Sequence, residues 1–420
     1  MINESTHDLT VGVSSRSRTS SDVSKTTTLK LWFYRDKNVK LLAWFNFFTD
    51  FKLYAPLAII YFSQITGSYA LGTSIFSIAM ISSALFEVPT GVLSDFIGRK
   101  KTIMLGALCS ILYTSFYALG FSYWILVLGA ILEGLSRSFY SGNNDALLYN
   151  TLSETGNEDS FHNYLGKTTS MFQLSAGISA LIGGVIAGVY FPAVFWLSAL
   201  SQVVCFILSL KIIEPRFKRN ESGNVYNHLQ KSIKYFIKNP KLRLLSISSI
   251  FTYGFGEASY QFRGAFFSSI LPLWLIGFIA MLSNFGAAVG FYISGKVIDK
   301  FGSFKILLLG SISTRIIDLI SLITASLFSP FLMATTSLHH GISTVTKNSL
   351  MQKEFTDTQR ATMGSLNSLV GSLFLAVVFF GIGLVADKLT PAQALIIMEL
   401  LMMINVFIYW KLFKNSQGNR

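Results

Sequence analysis

Long apolar segments alternate with short polar segments along most of the chain. Each apolar segment covers about 20 residues, the length that an α-helix needs to cross the hydrocarbon core of a bilayer. Twelve such segments occur, at 41–62, 69–92, 102–120, 123–147, 164–190, 192–213, 244–267, 272–295, 304–326, 330–350, 362–386 and 391–412. The pattern predicts an all-α membrane protein with twelve transmembrane helices.

Lysine and arginine concentrate in every second connection between the apolar segments. Basic clusters precede the first segment and follow the second, sixth, eighth, tenth and twelfth. No lysine or arginine occurs in the alternate connections 63–68, 120–122, 190–192 and 327–329. Lys388 and Arg263 are assigned to the side of the membrane on which these alternate connections lie. Because cytoplasmic loops are enriched in basic residues, both termini are predicted to be cytoplasmic in a multi-pass plasma or inner membrane protein.

An internal repeat divides the chain into two halves. GVLSDFIGRKK at 91–101 and GKVIDKFGSFK at 295–305 share glycine, aspartate, glycine and lysine at positions 204 residues apart. Each copy follows the second apolar segment of its half, which predicts two six-helix bundles. The predicted division is a disordered cytoplasmic tail (1–38), a first bundle (39–213), a linker (214–243), a second bundle (244–413) and a cytoplasmic tail (414–420).

The linker has the pattern of an amphipathic helix. Leu229, Ile233, Phe236 and Ile237 share one helical face against Lys231, Lys234 and Lys238. This arrangement predicts a helix that lies at the cytoplasmic membrane interface. Binding of a calmodulin-like partner is the alternative interpretation.

The composition supports a membrane protein. The chain is 51% hydrophobic and 13% charged, about half the charged share of a typical soluble domain. Its net charge of +13 is spread over short connections rather than gathered on one soluble face, so nucleic-acid binding is not predicted. Cys109 and Cys205 lie inside apolar segments and suggest no disulfide framework. No metalloprotease, nucleophile-elbow or phosphate-loop motif occurs, so neither an enzyme nor a metal or other cofactor is predicted.

The first copy of the repeat carries a specific motif. Residues 91–101 have the form G-x-L-x-D-x-x-G-R-K, and the residues Glu87-Val88-Pro89-Thr90 precede them. In this form the segment resembles the signature loop of the major facilitator superfamily, and residues 87–90 resemble its drug-exporter-like members. The resemblance covers about 30–415. It implies the fold of that superfamily, with two six-helix bundles around a central cavity.

The signature loop implies a set of gating residues. Glycine permits close helix approach and tight turns, and Asp95 suits the N-terminus of a facing helix, for which 359–362 is the candidate. The family also implies an ion pair between Arg99 and Asp145. These contacts would hold the outward-facing state; the alternative is that the basic residues only set topology. The predicted gating residues are Gly91, Asp95, Gly98, Arg99, Lys100, Asp145, Gly295, Asp299 and Gly302.

A second family signature is degraded. In the fifth apolar segment, Gly166, Gly183 and Gly184 match the glycine-rich signature of antiporter members, but Ala180 replaces its proline. This departure weakens the antiporter inference. Close helix packing by itself also explains the glycines.

Several ionisable residues lie at bilayer depth, where each costs roughly 2.5–3.5 kcal/mol on insertion scales and is therefore a functional candidate. They are Asp50, Lys52, Glu133, Arg137, Glu257, Arg315, Asp318, His339, His340 and Glu399. The resemblance implies that the first, fourth, seventh and tenth helices line the cavity. This implication favours Asp50, Glu133, Arg137, Glu257, His339 and His340 as proton-coupling or substrate residues.

Helical geometry predicts which of these residues pair. Glu133 and Arg137 share a face and form either a switching or a static ion pair. Arg315 and Asp318 are predicted to form a local pair, whereas Glu399 has no evident partner. On a continuous helix, Asp50 and Lys52 would point about 200° apart, and the adjacent histidines about 100° apart. Neither an Asp50–Lys52 pair nor a histidine metal site is therefore predicted.

Proton coupling is assigned to Glu257 and Asp50. A carboxyl group in mid-span can load and release a proton in each cycle, and a protonated, hydrogen-bonded helix contact is the alternative. The preferred function is a monomeric, proton-coupled exporter of a small drug-like or metabolite solute, working by alternating access. The alternatives are a proton-coupled uptake symporter and a membrane sensor or scaffold without transport.

Overall fold

The computed structural model describes residues 37–157, 161–215, 234, 236–354 and 360–418. Within these ranges the regular structure is helical, in twelve successive helices and a short helical piece of the linker at 236–238. The nine uninterrupted helices are α2 (Tyr69–Ile97), α3 (Arg99–Leu119), α5 (Phe161–Val189), α6 (Phe191–Lys211), α8 (Leu273–Phe301), α9 (Ser303–Thr324), α10 (Ser329–Glu354), α11 (Arg360–Lys388) and α12 (Pro391–Gly418).

Three helices are interrupted. Helix α1 runs over 37–49, unwinds over 50–54, and resumes as a 3₁₀ turn at Ala55–Leu57 and an α-helix at Ala58–Thr66. Helix α4 comprises Tyr123–Tyr140 and Asn143–Ser153, on either side of a break at Gly142, where φ is +68°. Helix α7 comprises Pro240–Phe251, a π-helical turn at Thr252–Gly256, and Glu257–Phe267.

Eight of the described helices are long and apolar enough to cross a membrane, namely α2, α3, α5, α6, α8, α9, α11 and α12. The remaining four are the interrupted helices α1, α4 and α7, together with α10, which carries two adjacent histidines. Irregular backbone and polar side chains at bilayer depth are tolerated where they line a cavity. These four helices are the ones that the family resemblance places around the centre.

We distinguish two ends of the bundle by the helices that begin and end there. The basic end holds the turns at Gly98 and Gly302, whose φ angles of +92° and +79° favour glycine. The opposite end holds the turns at Gly67, Gly120 and Ala325. The turn role predicted for Gly98 and Gly302 agrees with these angles. In contrast, a Cβ added at Gly91 or Gly295 would meet nothing within 4 Å. Close approach of a neighbouring helix therefore does not require glycine at these positions in this conformation.

The two halves meet in the middle and at the opposite end. Phe76 of α2 stacks on Phe379 of α11, with ring centroids 5.1 Å apart, and the Ser77 hydroxyl donates to the Ala376 carbonyl at 2.7 Å. Helices α5 and α8 touch through glycine, since a Cβ added at Gly184 would lie 2.8 Å from the Cα of Gly277. At the basic end each half instead has its own apolar cluster, one containing Leu307 and Leu412, the other Ile103 and Leu147.

Parts of the predicted organisation fall outside the described residues. These are the tail over 1–36 and most of the linker, including Leu229, Lys231 and Ile233, so the amphipathic helix stays a prediction. The described linker residues 236–238 are helical, and Phe236 packs against the cluster around Leu242. The last helix continues to Gly418, beyond the predicted span end at 412.

Candidate functional site

Four adjoining cavities lie inside the bundle, three lined by both halves and one by the first half alone, and we call them together the central vestibule. Its parts measure about 260, 310, 90 and 350 Å³. They share lining residues: Lys52 and Arg137 line three of them, and Tyr260 and Arg263 line two. All six residues predicted for proton coupling or substrate line the vestibule, namely Asp50, Glu133, Arg137, Glu257, His339 and His340.

The break in α1 brings Asp50 and Lys52 together. Lys52 Nζ lies 3.7 Å from Asp50 Oδ1, so the prediction that they cannot pair is wrong. That prediction assumed a continuous helix, whereas residues 50–54 are not helical. Side chains of α6 satisfy the freed backbone: Leu53 N–H donates to Ser198 Oγ at 2.9 Å, and Ser201 Oγ donates to the Phe51 carbonyl at 2.9 Å. Such partners are what unwound backbone needs at bilayer depth.

Glu133 and Arg137 form the ion pair that their spacing predicts. Arg137 Nε and Nη2 donate to Glu133 Oε1 at 3.0 and 2.8 Å, and the Tyr117 hydroxyl donates to Oε2 at 2.8 Å. The carboxylate is buried, while the arginine side chain keeps 47% of its surface exposed in the vestibule. Tyr117 from α3 thus fixes the acid, and the arginine presents its free edge to the cavity.

In the second half, Glu257 is a vestibule carboxylate without a described cationic partner. It follows the π-helical turn of α7, which aims it between two parts of the vestibule. Gln261 Nε2 donates to its Oε1 at 3.0 Å, and no ion pair to it occurs among the described residues. The rings of Tyr253 and Tyr260 line the same space.

Behind the vestibule, α7, α9 and α12 share a buried network of four charges. Arg263 Nη2 donates to Asp318 Oδ2 at 2.8 Å, and Arg315 Nη1 pairs with Glu399 Oε2. The predicted local pair of Arg315 and Asp318 is the longest of these contacts, at 4.0 Å. Asp318 and Glu399 are buried, with 0% and 2% of their surface exposed.

This network corrects two expectations from the sequence. The sequence places Arg263 on the side opposite the basic connections, but it lies in the interior and lines two parts of the vestibule. Glu399 seemed unpartnered because its partner, Arg315, is 84 residues away in the chain. Only the packing of α9 against α12 joins them, and no periodicity within one helix reveals it.

The two adjacent histidines lie on α10. Both line the vestibule, and His340 also faces the ring of Phe291, 6.5 Å away between centroids. The described residues contain no group of three or more histidine, cysteine or acidic residues that could hold a metal ion.

The signature loop at the basic end uses partners that the sequence did not indicate. Arg99 Nη1 donates to Asn143 Oδ1 at 3.2 Å, which also accepts from Ser94 Oγ at 2.5 Å. An ion pair of Arg99 with Asp145 does not form in this conformation among the described residues. Asp145 instead lines the vestibule. Arg99 donates to Asn143 because α4 breaks at Gly142 and begins again at Asn143.

Glu214 is the functional candidate that the sequence analysis missed at this end. Its carboxylate accepts the backbone N–H groups of Arg99 and Lys100 at 2.9 and 2.7 Å, so it caps α3. Asp95 and Asp299 are exposed. The predicted contact of Asp95 with 359–362 lies largely outside the described residues.

An aspartate joins the halves at the opposite end. Asp387, near the end of α11, accepts hydrogen bonds from Ser68 Oγ at 2.5 Å, Tyr69 N–H at 2.6 Å and Ala70 N–H at 2.9 Å. The N-terminus of α2 is therefore capped by a carboxylate from the other half, where the helix dipole favours negative charge. Together with the Phe76–Phe379 stack, this contact closes the opposite end of the vestibule.

Comparisons with known proteins give a consistent family. The MFS-type transporter YxaM of Bacillus subtilis (strain 168) is 26% identical over 374 residues, which cover 85% of this chain and 91% of that protein. Multidrug resistance protein 2 of the same organism is 23% identical over 306 residues, covering 68% and 74%.

A solved structure shows the same fold. A bacterial homologue of the human lysosomal transporter Spinster, in an inward-facing and unoccupied conformation, superposes with a TM-score of 0.73 at 14% identity and covers 92% of this chain and 98% of that chain. The sequence model of the Major Facilitator Superfamily matches residues 41–379. With two six-helix halves around a polar vestibule, this chain belongs to the major facilitator superfamily of membrane transporters.

Proposed function

We propose that the protein exports a small organic solute in exchange for protons, by alternating access to the central vestibule. The observation that carries the proposal is Glu257, a vestibule carboxylate with no described cationic partner. The similarity to Multidrug resistance protein 2 and the motif at 87–90 support the export direction.

Charge balance distinguishes Glu257 from the acids that pair with arginine. Glu133, Asp318 and Glu399 each hold an arginine, so a proton on any of them would leave a buried cation without its counter-ion, which is costly. Glu257 can change its charge without that cost. A solute that bears a positive charge or hydrogen-bond donors would compete with the proton for the carboxylate, and this competition is the basis of exchange.

Asp50 stays the second proton candidate. Its contact with Lys52 is long, at 3.7 Å, and its side chain is 41% exposed, so solvent screens the pair. It lines the vestibule from the first half, whereas Glu257 lies in the second. A proton could therefore be handled on either side of the space between the halves.

The orientation follows from the basic connections. We propose that the basic end faces the cytoplasm, with both termini there, in the inner or plasma membrane of the cell, and that the protein works as a monomer. The conformation then has its outer end closed by Asp387 and the Phe76–Phe379 stack. The exporter would load solute from the cytoplasmic side in this state.

The decisive experiment uses purified protein in liposomes with an imposed pH gradient and a panel of labelled solutes. Glu257→Gln should abolish gradient-driven transport while solute exchange across the membrane continues. The surviving exchange shows that the variant is folded and binds solute. Gradient-driven transport at the unchanged rate would remove Glu257 from the coupling mechanism, and no transport of any solute under either polarity would favour the scaffold or sensor function.

Uptake of an anionic solute together with a proton is the second candidate. One part of the vestibule is lined by Lys52, Arg137 and Arg263, and the Arg263 Nε atom is buried without a hydrogen-bond partner. A carboxylate could accept from these groups, with a proton on Glu257 keeping the charge balanced. Accumulation of organic acids driven by an inward proton gradient would support this candidate over export.

A further inference from the structure

A separate groove lies on the outside of the second half, at the basic end. It measures about 470 Å³ and is bordered by the start of α7, the start of α9 and the end of α12. None of its described lining residues also lines the central vestibule. Its described walls are Pro240, Lys241, Arg243, Leu244, Ile247, Phe304, Lys411, Leu412, Asn415 and Ser416.

The groove combines three cations with an apolar wall. Lys241 is held by Glu354, with 2.6 Å between Nζ and Oε1, and its ammonium lies 5.7 Å from the ring centroid of Phe304. Arg243 and Lys411 are exposed and form no ion pair with a carboxylate among the described residues. Among the described residues, three positive charges thus face one negative charge. A ligand here is favoured if it is anionic.

The position of the charges along the helices indicates the depth of the groove. The apolar segment within α7 begins at 244, and the apolar segment within α12 ends at 412. Arg243 and Lys411 therefore lie at the boundary of the hydrocarbon region. Ile247 and Leu244 continue the groove toward the bilayer centre. Trp410, half exposed beside the groove, is the kind of residue that favours the membrane interface.

We propose that this groove binds an anionic phospholipid. The phosphate lies between Arg243, Lys411 and the partly neutralised Lys241, and an acyl chain follows Ile247 and Leu244 into the bilayer. Basic pockets between transmembrane helices on the cytoplasmic side suit anionic headgroups. The apolar wall distinguishes a lipid from a soluble phosphate, which would gain nothing from it. This proposal does not depend on the direction of transport or on its substrate.

The first half provides a matched control at the same end. Lys211 is the last residue of α6, and Lys411 lies near the end of α12. Lys211 is exposed and borders none of the cavities described above. If basic residues at helix ends only set topology, Lys211 and Lys411 should behave alike toward lipids. If the groove is a site, they should differ.

The experiment titrates the purified full-length chain in detergent with phosphatidylglycerol and, separately, with phosphatidylcholine of the same acyl chains. Bound lipid is counted by native mass spectrometry, and the midpoint of thermal unfolding is recorded in parallel. Phosphatidylglycerol should bind more tightly and raise the midpoint further. Arg243→Gln and Lys411→Gln should each weaken its binding roughly fivefold, as expected for one cation near an anionic headgroup, and Lys211→Gln should leave it unchanged.

Three results would overturn the proposal. Equal binding of the two lipids would remove the requirement for negative charge. An equal loss in Lys211→Gln would show a diffuse surface effect. Displacement of phosphatidylglycerol by inorganic phosphate or glycerol phosphate at the same concentration would assign the groove to a soluble anion instead. Because the substituted residues are exposed, the variants should stay folded, and an unchanged unfolding midpoint without lipid verifies this.

Discussion

Four of the acidic side chains inside the bundle lie beside a basic side chain. Arginines hold Glu133, Asp318 and Glu399, and Lys52 lies near Asp50. A buried ion pair adds little stability compared with an apolar contact. Removing one partner is nevertheless costly, because the other charge stays buried. Neutralisation therefore makes the three arginine pairs structural constraints, whereas Glu257 can change its charge without breaking such a pair.

Glu399→Gln should destabilise the protein strongly. The variant leaves Arg315, which is 10% exposed, without its closest carboxylate, and loss of one member of a buried pair costs roughly 3–5 kcal/mol. Thermal unfolding in detergent measures the loss. The comparison is Glu354→Gln, which removes the partner of the half-exposed Lys241 and should cost about 1 kcal/mol or less. Equal shifts for both variants would contradict a structural role of the network.

Helices α2 and α11 form a reciprocal pair at the scale of the elements. Each has 29 residues, and each carries an aspartate near its C-terminus, Asp95 and Asp387 respectively. The N-terminus of α2 receives Asp387 in this conformation, whereas Asp95 is exposed at the basic end. A carboxylate at a helix N-terminus is favourable. Opening one end and closing the other would exchange these two contacts.

Asp387→Asn should shift the protein toward the state that is open at the opposite end. The loss of a negative charge at a helix N-terminus changes the population ratio about fivefold. Spin labels on Phe121→Cys and Leu327→Cys, in turns of the two halves at that end, should report a longer distance. Lys388→Gln, at the neighbouring exposed position, should leave the distance unchanged. No difference between the two variants would show that Asp387 does not hold this end closed.

Asymmetric closure is the main feature of the whole molecule. Aromatic stacking, glycine contacts between α5 and α8, and the Asp387 cap join the halves at the opposite end and in the middle. At the basic end the apolar clusters belong to separate halves. Rocking of two rigid halves about the middle would expose the vestibule at each end in turn, as alternating access requires.

The two ends should face opposite sides of the membrane. Single cysteines introduced at 63–68 and at 96–101, in a chain with Cys109→Ser and Cys205→Ser, test this with a membrane-impermeant thiol reagent. In intact cells only the first set should react, and permeabilised cells should expose both. Reaction of both sets in intact cells would refute the twelve-span topology and, with it, the proposed cytoplasmic loading.

The sequence by itself determined the number and approximate bounds of the helices, because about twenty mainly apolar residues leave few alternatives to a transmembrane span. The repeat and its signature loop likewise indicated two halves. Helical spacing was also sufficient to predict the ion pair of Glu133 and Arg137, which are four residues apart on one helix. Each of these properties is local or periodic along the chain.

Tertiary structure decided what depends on contacts between helices. The unwinding at 50–54 needs Ser198 and Ser201 of α6 to satisfy its backbone, and it reverses the predicted separation of Asp50 and Lys52. Packing of α9 against α12 supplies Arg315 as the partner of Glu399. The free energy of a buried charge depends on neighbours distant in the chain. A local pattern therefore shows which residues are costly to bury, and only the packed helices show how that cost is offset.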